Sequence, residues 1–128
     1  MSLLLAQSPH SVAVTIDRLE ATLKERGTTV FARVDHAGGA RGAGLQLADE
    51  ELLIFGDPRA GTLLMQADAQ VGYELPLRVL AWDAEGRTVV GYRPPGELAD
   101  RYGVRGRTEL LERMTEMLEE LIAKITAP

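Results

Sequence analysis

Cysteine is absent from this chain of 128 residues, so it has no disulfide, no thiol nucleophile and no cysteine-based zinc or iron–sulfur site. Serine is scarce, and none of the three serines stands in a nucleophile-elbow motif. The two histidines, His10 and His36, lack the four-residue spacing of a helical zinc motif. We therefore expect no nucleophilic hydrolase, no transition-metal site and no cofactor.

Basic residues are in the minority. The chain has fourteen lysines and arginines and nineteen aspartates and glutamates, which gives a net charge of −5. The basic side chains are scattered along the sequence and form no polybasic segment. Because a negative chain is repelled by phosphate backbones, we expect no nucleic-acid partner.

Long hydrophobic runs are also missing. No window approaches the roughly 18 apolar residues of a membrane span. The apolar run at residues 3–6 is short and has no basic residue before it, unlike a secretory signal. We expect a cytoplasmic protein that does not enter the membrane.

What is present is typical of a globular protein. Apolar residues make up 45% and charged residues 26%, and the length is that of one domain. Periodicity predicts alternating helices and strands, with glycine and proline at their ends. The predicted elements are strands at about 3–7, 28–34 and 52–55, helices at 11–26 and 58–67, hairpin strands at 77–82 and 88–93, a short helix at 97–102 and an amphipathic helix at about 108–126.

This order predicts a single α+β domain over residues 1–128. We expect two layers, with a mainly antiparallel sheet of about four to six strands and helices packed on one face. Ser11 and Thr108 are the predicted N-caps of the first and last helices, and Gly27 is predicted to end the first. The glycine-rich segment 38–44 is predicted to be a flexible loop.

Three blocks of sequence then resemble the domain of unknown function 302 family. They are Val34-Asp35-His36-Ala37, Leu53-Ile54-Phe55-Gly56-Asp57-Pro58 with Gly61-Thr62-Leu63-Leu64-Met65, and Glu74-Leu75-Pro76-Leu77. The resemblance covers about residues 8–104. It implies a fold similar in outline to the TATA-box-binding protein, a homodimer, and no established biochemical activity. Asp57, Glu74 and Tyr102 depart from the Asn, Asp and His that are usual in the family.

The candidate site residues lie in or near these blocks. His36 beside Asp35 could act as a general base near neutral pH, or could simply bond to a backbone group at the end of the strand. Arg41 and the glycine-rich backbone around it could bind an anion, unless this segment is only a loop. Asp57 could cap a helix, or could join His36 and Glu74 in a polar pocket. Further candidates for the rim of this pocket are Tyr73, Arg78, Tyr92 and Arg93.

Three functions remain open. The first is a non-enzymatic dimeric module that binds a small molecule or a protein partner near His36, Asp57 and Glu74. The second is a small-molecule hydrolase or isomerase with His36 as general base, which requires His36 to reach a carboxylate in a concave pocket. The third is a purely structural interaction protein that works through its dimer or its C-terminal helix.

Overall fold

The computed structural model describes residues 3–128, and its core is an antiparallel five-stranded sheet. Short 3-10 helices at Ala69–Glu74, Pro95–Glu97 and Arg105–Arg107 connect the larger elements. The strands are β1 (Leu4–Ser8), β2 (Thr29–Asp35), β3 (Glu50–Gly56), β4 (Leu77–Ala84) and β5 (Arg87–Tyr92), and the helices are α1 (Val12–Glu25), α2 (His36–Gly42), α3 (Pro58–Ala67), α4 (Leu98–Arg101) and α5 (Thr108–Ile125).

The strand order is β1-β5-β4-β3-β2, and every neighbouring pair is antiparallel. The first and second strands thus form opposite edges of the sheet, and the chain crosses from one edge to the other through α1. The register places Leu53 opposite Val79, and a bulge interrupts the pairing of β2 between Val30 and Ala32. The α+β class and the antiparallel sheet predicted from the sequence are confirmed.

The core lies between one face of the sheet and the helices α1 and α5. Side chains that alternate along the strands meet the apolar stripes of both helices. These fully buried side chains include Ile16, Leu19 and Leu23 of α1, Leu53 and Phe55 of β3, Val79 and Ala81 of β4, and Leu118, Leu121 and Ile125 of α5.

The opposite face of the sheet is also apolar. Leu52, Leu80, Trp82 and Val89 alternate with the core residues along their strands, so they point away from the core, and all four are half-buried. On the edge strand, Leu5 is 63% exposed. Apolar area on this face therefore remains in contact with solvent.

Local capping agrees with the sequence in part. The Ser11 hydroxyl accepts a hydrogen bond from the Val14 N–H, and Gly27 has a φ of +71°, as its position after the helix requires. Thr108 is instead the first residue of α5, where its hydroxyl donates to the Arg105 carbonyl. The glycine-rich segment is not simply a loop, because α2 runs through Gly42 after Asp35 caps its first turn.

Candidate functional site

His36 lies at the start of α2. The carboxylate of the preceding Asp35 accepts a hydrogen bond from the Gly38 N–H at 2.9 Å, which fixes the turn from β2 into the helix. Both Asp35 and His36 are exposed. Among residues 3–128, no hydrogen bond or ion pair involves the His36 ring, and His36 lines none of the main cavities. The enzymatic alternative therefore gains no support from the geometry.

The structure does not bring His36 and Asp57 together. Glu51 pairs with Asp35 near one end of β3, whereas Asp57 follows the other end of the same strand. Positions 51 and 57 are six residue steps apart along an extended strand, which corresponds to about 20 Å. The pocket predicted from His36, Asp57 and Glu74 is therefore not formed, because antiparallel pairing places His36 and Asp57 at opposite ends of the sheet.

Arg41 lies on the same side of the molecule as His36. Its guanidinium Nη2 is 3.8 Å from Asp35 Oδ2, and both side chains are exposed. Arg41 also lines an open cavity of about 380 Å³ with residues 46–48. Exposed ion pairs contribute little stabilising free energy, so the pair with Asp35 does not hold the Arg41 guanidinium in a fixed orientation for binding an anion.

Glu74, Arg78 and Tyr92 do come together. They line a concave site of about 410 Å³, which we call the polar cavity. It lies where β4 begins and β5 ends, between the 3-10 helix that precedes β4 and the segment that follows β5. Its lining residues are Leu3, Leu52, Tyr73, Glu74, Leu77, Arg78, Leu80, Gly91, Tyr92, Arg93, Pro94, Pro95, Glu97, Leu98 and Arg101.

Among the three residues that form ion pairs in the polar cavity, Glu74 has the least exposed side chain. Its side chain is only 11% exposed. Arg101 Nη1 lies 3.4 Å from Glu74 Oε1, and Arg78 Nη2 lies 4.0 Å from Glu74 Oε2. Because both guanidiniums remain at least one-third exposed, each keeps donors available to a further acceptor.

Two more charged residues complete the lining. Arg93 forms no ion pair within residues 3–128. Glu97 has one carboxylate oxygen, Oε2, that is buried and has no hydrogen-bond partner within the same residues. The sequence predicted Arg93 as a rim residue, whereas it did not point to Glu97 and Arg101. No local spacing pointed to Arg101, because its partner Glu74 lies 27 positions earlier in the sequence.

Two tyrosines in or near the polar cavity have raised pKa values. Burial raises the pKa of Tyr92, and the negative charge of Glu119 adds to the effect. Burial also raises the pKa of Tyr102, followed by the charge of Glu74, while Arg101 acts in the opposite direction. The Arg101 guanidinium carbon lies 5.9 Å from the centre of the Tyr102 ring, within the range of a cation–π contact. Tyr102 thus belongs to the ionic cluster around Glu74.

Asp57 has the capping role that was one of its two predicted alternatives. Its carboxylate accepts a hydrogen bond from the Arg59 N–H at 2.9 Å and caps α3, with Pro58 in the first turn. Asp57 also lines a second concave site of about 300 Å³, which we call the apolar cavity. The two sites lie on different sides of the segment that leads into β4.

Within the part of the chain that the structure describes, no three His, Asp or Glu side chains are grouped as metal ligands. No helix of residues 3–128 is both long enough and apolar enough to cross a membrane.

The sequence matches a known protein family over most of its length. The family described as "Domain of unknown function DUF302" matches residues 6–123. The chain belongs to the DUF302 family. The crystal structure of an uncharacterized conserved DUF302 protein from Bacillus stearothermophilus matches this DUF302 chain with a TM-score of 0.73 and 21% identity. The match covers 98% of this chain and 96% of that one, and it confirms the fold.

Curated relatives carry a different name. The proteins called "Fluoride-specific ion channel FluC 1" in Brucella suis biovar 1 (strain 1330) and Brucella abortus biovar 1 (strain 9-941) are each 47% identical to the DUF302 chain over 103 residues. The match covers 80% of this chain but 41% and 38% of those proteins. The chain thus spans about two fifths of the length of these curated relatives.

Proposed function

We propose that this DUF302 chain is a non-enzymatic module that binds a small anionic molecule in the polar cavity. The observation that carries the proposal is Arg93, a guanidinium that lines the cavity without an ion pair within residues 3–128. Arg78 and Arg101 also line the cavity, and they share the single carboxylate of Glu74. A carboxylate or phosphate group would supply the missing acceptor.

The charge of the cavity supports an anion over a cation. Three arginines and two glutamates line it, although the whole chain carries a net charge of −5. The formal charge of the lining is therefore +1, opposite in sign to that of the whole chain, and a concave surface partly shielded from water strengthens the attraction of such a charge for an anion. The volume of about 410 Å³ lies within the usual range of roughly 300–1,000 Å³ for small-molecule sites.

We further propose that the module is a homodimer that works in the cytoplasm without nucleic acid. The exposed apolar face of the sheet supports self-association, because burying apolar side chains such as Leu5 and Trp82 against a second copy is favourable. Closed twofold dimers are also the commonest oligomers. Native mass spectrometry tests this directly, and a monomer at micromolar concentration would contradict it.

Titration of phosphate, acetate, succinate and fluoride tests the binding proposal. We expect at least one of these anions to shift the amide NMR signals of residues 73–78 and 91–101 saturably. Sodium chloride at matched ionic strength controls for general screening.

A pair of variants makes the test specific. Arg93→Gln removes the unpaired guanidinium, so we expect about a tenfold weaker affinity or more. Arg87→Gln is the matched control, because Arg87 is exposed in the hairpin and does not line the cavity. Equal effects of the two variants, or no saturable shift with any of the four anions, would contradict the proposal.

A second candidate function comes from the Brucella relatives. Their 47% identity over 103 residues supports a domain that acts together with a fluoride channel. We propose to express the Brucella suis protein without its matched segment in fluoride-sensitive cells, with and without this chain. Restored fluoride resistance only in the presence of this chain would support the accessory function, and equal growth in both cases would contradict it.

A further inference from the structure

The apolar cavity is lined by a different kind of side chain from the polar cavity. It is walled by the end of β3, the helix α3, the segment 72–77 and the helix α5. Three methionines line it: Met65 from α3, and Met114 and Met117 from successive turns of α5. Phe31, which is 53% exposed at the bulge of β2, adds an aromatic ring. Elements from distant parts of the sequence thus build one concave apolar surface.

Gly61 lines this cavity without a side chain. It lies inside α3, where glycine is less favourable than alanine because its backbone loses more freedom on folding. A Cβ atom added at Gly61 would lie 3.7 Å from both Leu75 Cδ1 and Met65 Cε, an ordinary contact distance. Packing therefore permits a side chain at this position, and the missing side chain leaves space in the cavity wall.

The lining also restricts the class of ligand. Thioethers are polarizable and adaptable, and they make favourable contacts with aromatic rings. Asp57 is the charged residue among those that line this cavity, and its carboxylate disfavours an anion. An apolar cavity of roughly 150 Å³ can hold benzene, so about 300 Å³ suits a molecule of roughly two fused rings.

We infer that the apolar cavity is a second binding site, which takes an uncharged aromatic molecule of about the size of indole. The ring packs among Met65, Met114 and Met117, and Gly61 provides the room for it. This site does not depend on anion binding in the polar cavity, and neither proposal needs the other to hold.

Indole is the probe for the test, and methionine methyl groups labelled with ¹³C are the reporters. We expect the methyl signals of Met65, Met114 and Met117 to shift saturably as indole is added up to about 5 mM, which detects millimolar dissociation constants. Naphthalene-1-sulfonate, an anionic aromatic, should bind more weakly. Absence of a saturable shift with indole, or equal affinity for the anion, would overturn the inference.

Substitution at Gly61 locates the site. Gly61→Leu should abolish the indole shifts, and Gly61→Ala should weaken binding by about fourfold, because one methyl-sized volume is lost. Gly39→Ala is the matched control: Gly39 also lies in a helix, an added Cβ would meet nothing within 4 Å, and it lines neither cavity. This control should retain the wild-type dissociation constant within about twofold.

The remaining outcomes are also decisive. If Gly61→Leu fails to fold, Gly61→Ala still measures the effect of a smaller cavity. Indole shifts that persist unchanged in Gly61→Ala place the ligand elsewhere and overturn the inference. Methionine shifts that depend on protein concentration in the absence of indole would show that a second copy covers the cavity, which also overturns it.

Discussion

Arg33→Met should destabilise the fold more than the loss of any single exposed arginine. Arg33 lies on the edge strand β2 and donates hydrogen bonds to Glu51 Oε1 at 2.7 Å and to Asp17 Oδ1 at 2.7 Å. It also approaches Glu20 Oε1 at 3.3 Å. One guanidinium therefore joins β2 to the neighbouring strand β3 and to the helix α1.

The magnitude follows from the exposure of the partners. Glu51 is only 13% exposed, and hydrogen bonds to charged groups of this kind contribute about 1.5–3 kcal/mol. Asp17 is 61% exposed, so its ion pair adds at most about 1 kcal/mol. The hydrogen bond to Glu51 also raises the pKa of the Arg33 guanidinium, so the group stays charged at every usable pH. We expect a loss of about 2–3 kcal/mol in the free energy of unfolding.

Urea unfolding followed by circular dichroism measures this loss. The double variant Arg33→Met with Glu51→Gln should regain about 1 kcal/mol, because it leaves no partly buried carboxylate without its partner. Arg87→Met, at an exposed hairpin position, should change stability by less than about 0.5 kcal/mol. If the Arg33 and Arg87 variants lose equal stability, the network does not connect the sheet to the helix through Arg33.

Other features of the fold give three further predictions. The pKa values of Tyr92 and Tyr102 are raised, which means that the folded state favours the neutral phenol. The stabilisation this gives is complete below the usual pKa of 10.0 and is lost as pH rises through the pKa values of the folded state. Replacing both with Phe should flatten the loss of stability measured by urea unfolding between about pH 9 and 11. Leu118→Ala, at a position 1% exposed, should cost about 2–5 kcal/mol by the same method, and a smaller loss would mean that α5 is not core. Gly91→Ala places a Cβ 2.9 Å from the Trp82 ring, so it should lower the melting temperature and change the tryptophan fluorescence, whereas an unchanged spectrum would contradict the contact.

Much of the fold could be predicted because local patterns agree with the final packing. The stripe over residues 108–126 becomes α5, and its inward positions are buried as the spacing predicts. The segment 38–44 shows the limit of this reasoning. Its glycines oppose a helix, yet the Asp35 carboxylate satisfies the Gly38 N–H, and the helix forms over His36–Gly42.

The site was harder to predict because it depends on long-range pairing. Which strand ends meet is decided by the order β1-β5-β4-β3-β2, and no local period specifies that order. His36 was therefore grouped with residues at the far end of β3. Arg101 was missed for the same reason: its partner Glu74 lies 27 positions earlier in the sequence.

The segment that leads into β4 explains why two different cavities lie so close together. Gly72 and Leu75 line the apolar cavity, whereas Tyr73 and Glu74 line the polar one, and Leu77 contributes to both. A single stretch of chain thus forms the wall between an apolar and an ionic surface. A substitution that shifts the backbone of this stretch changes both walls at once, because the same backbone carries both sets of side chains. Its effect can be assigned to one cavity only when indole and the anions are titrated against the same variant.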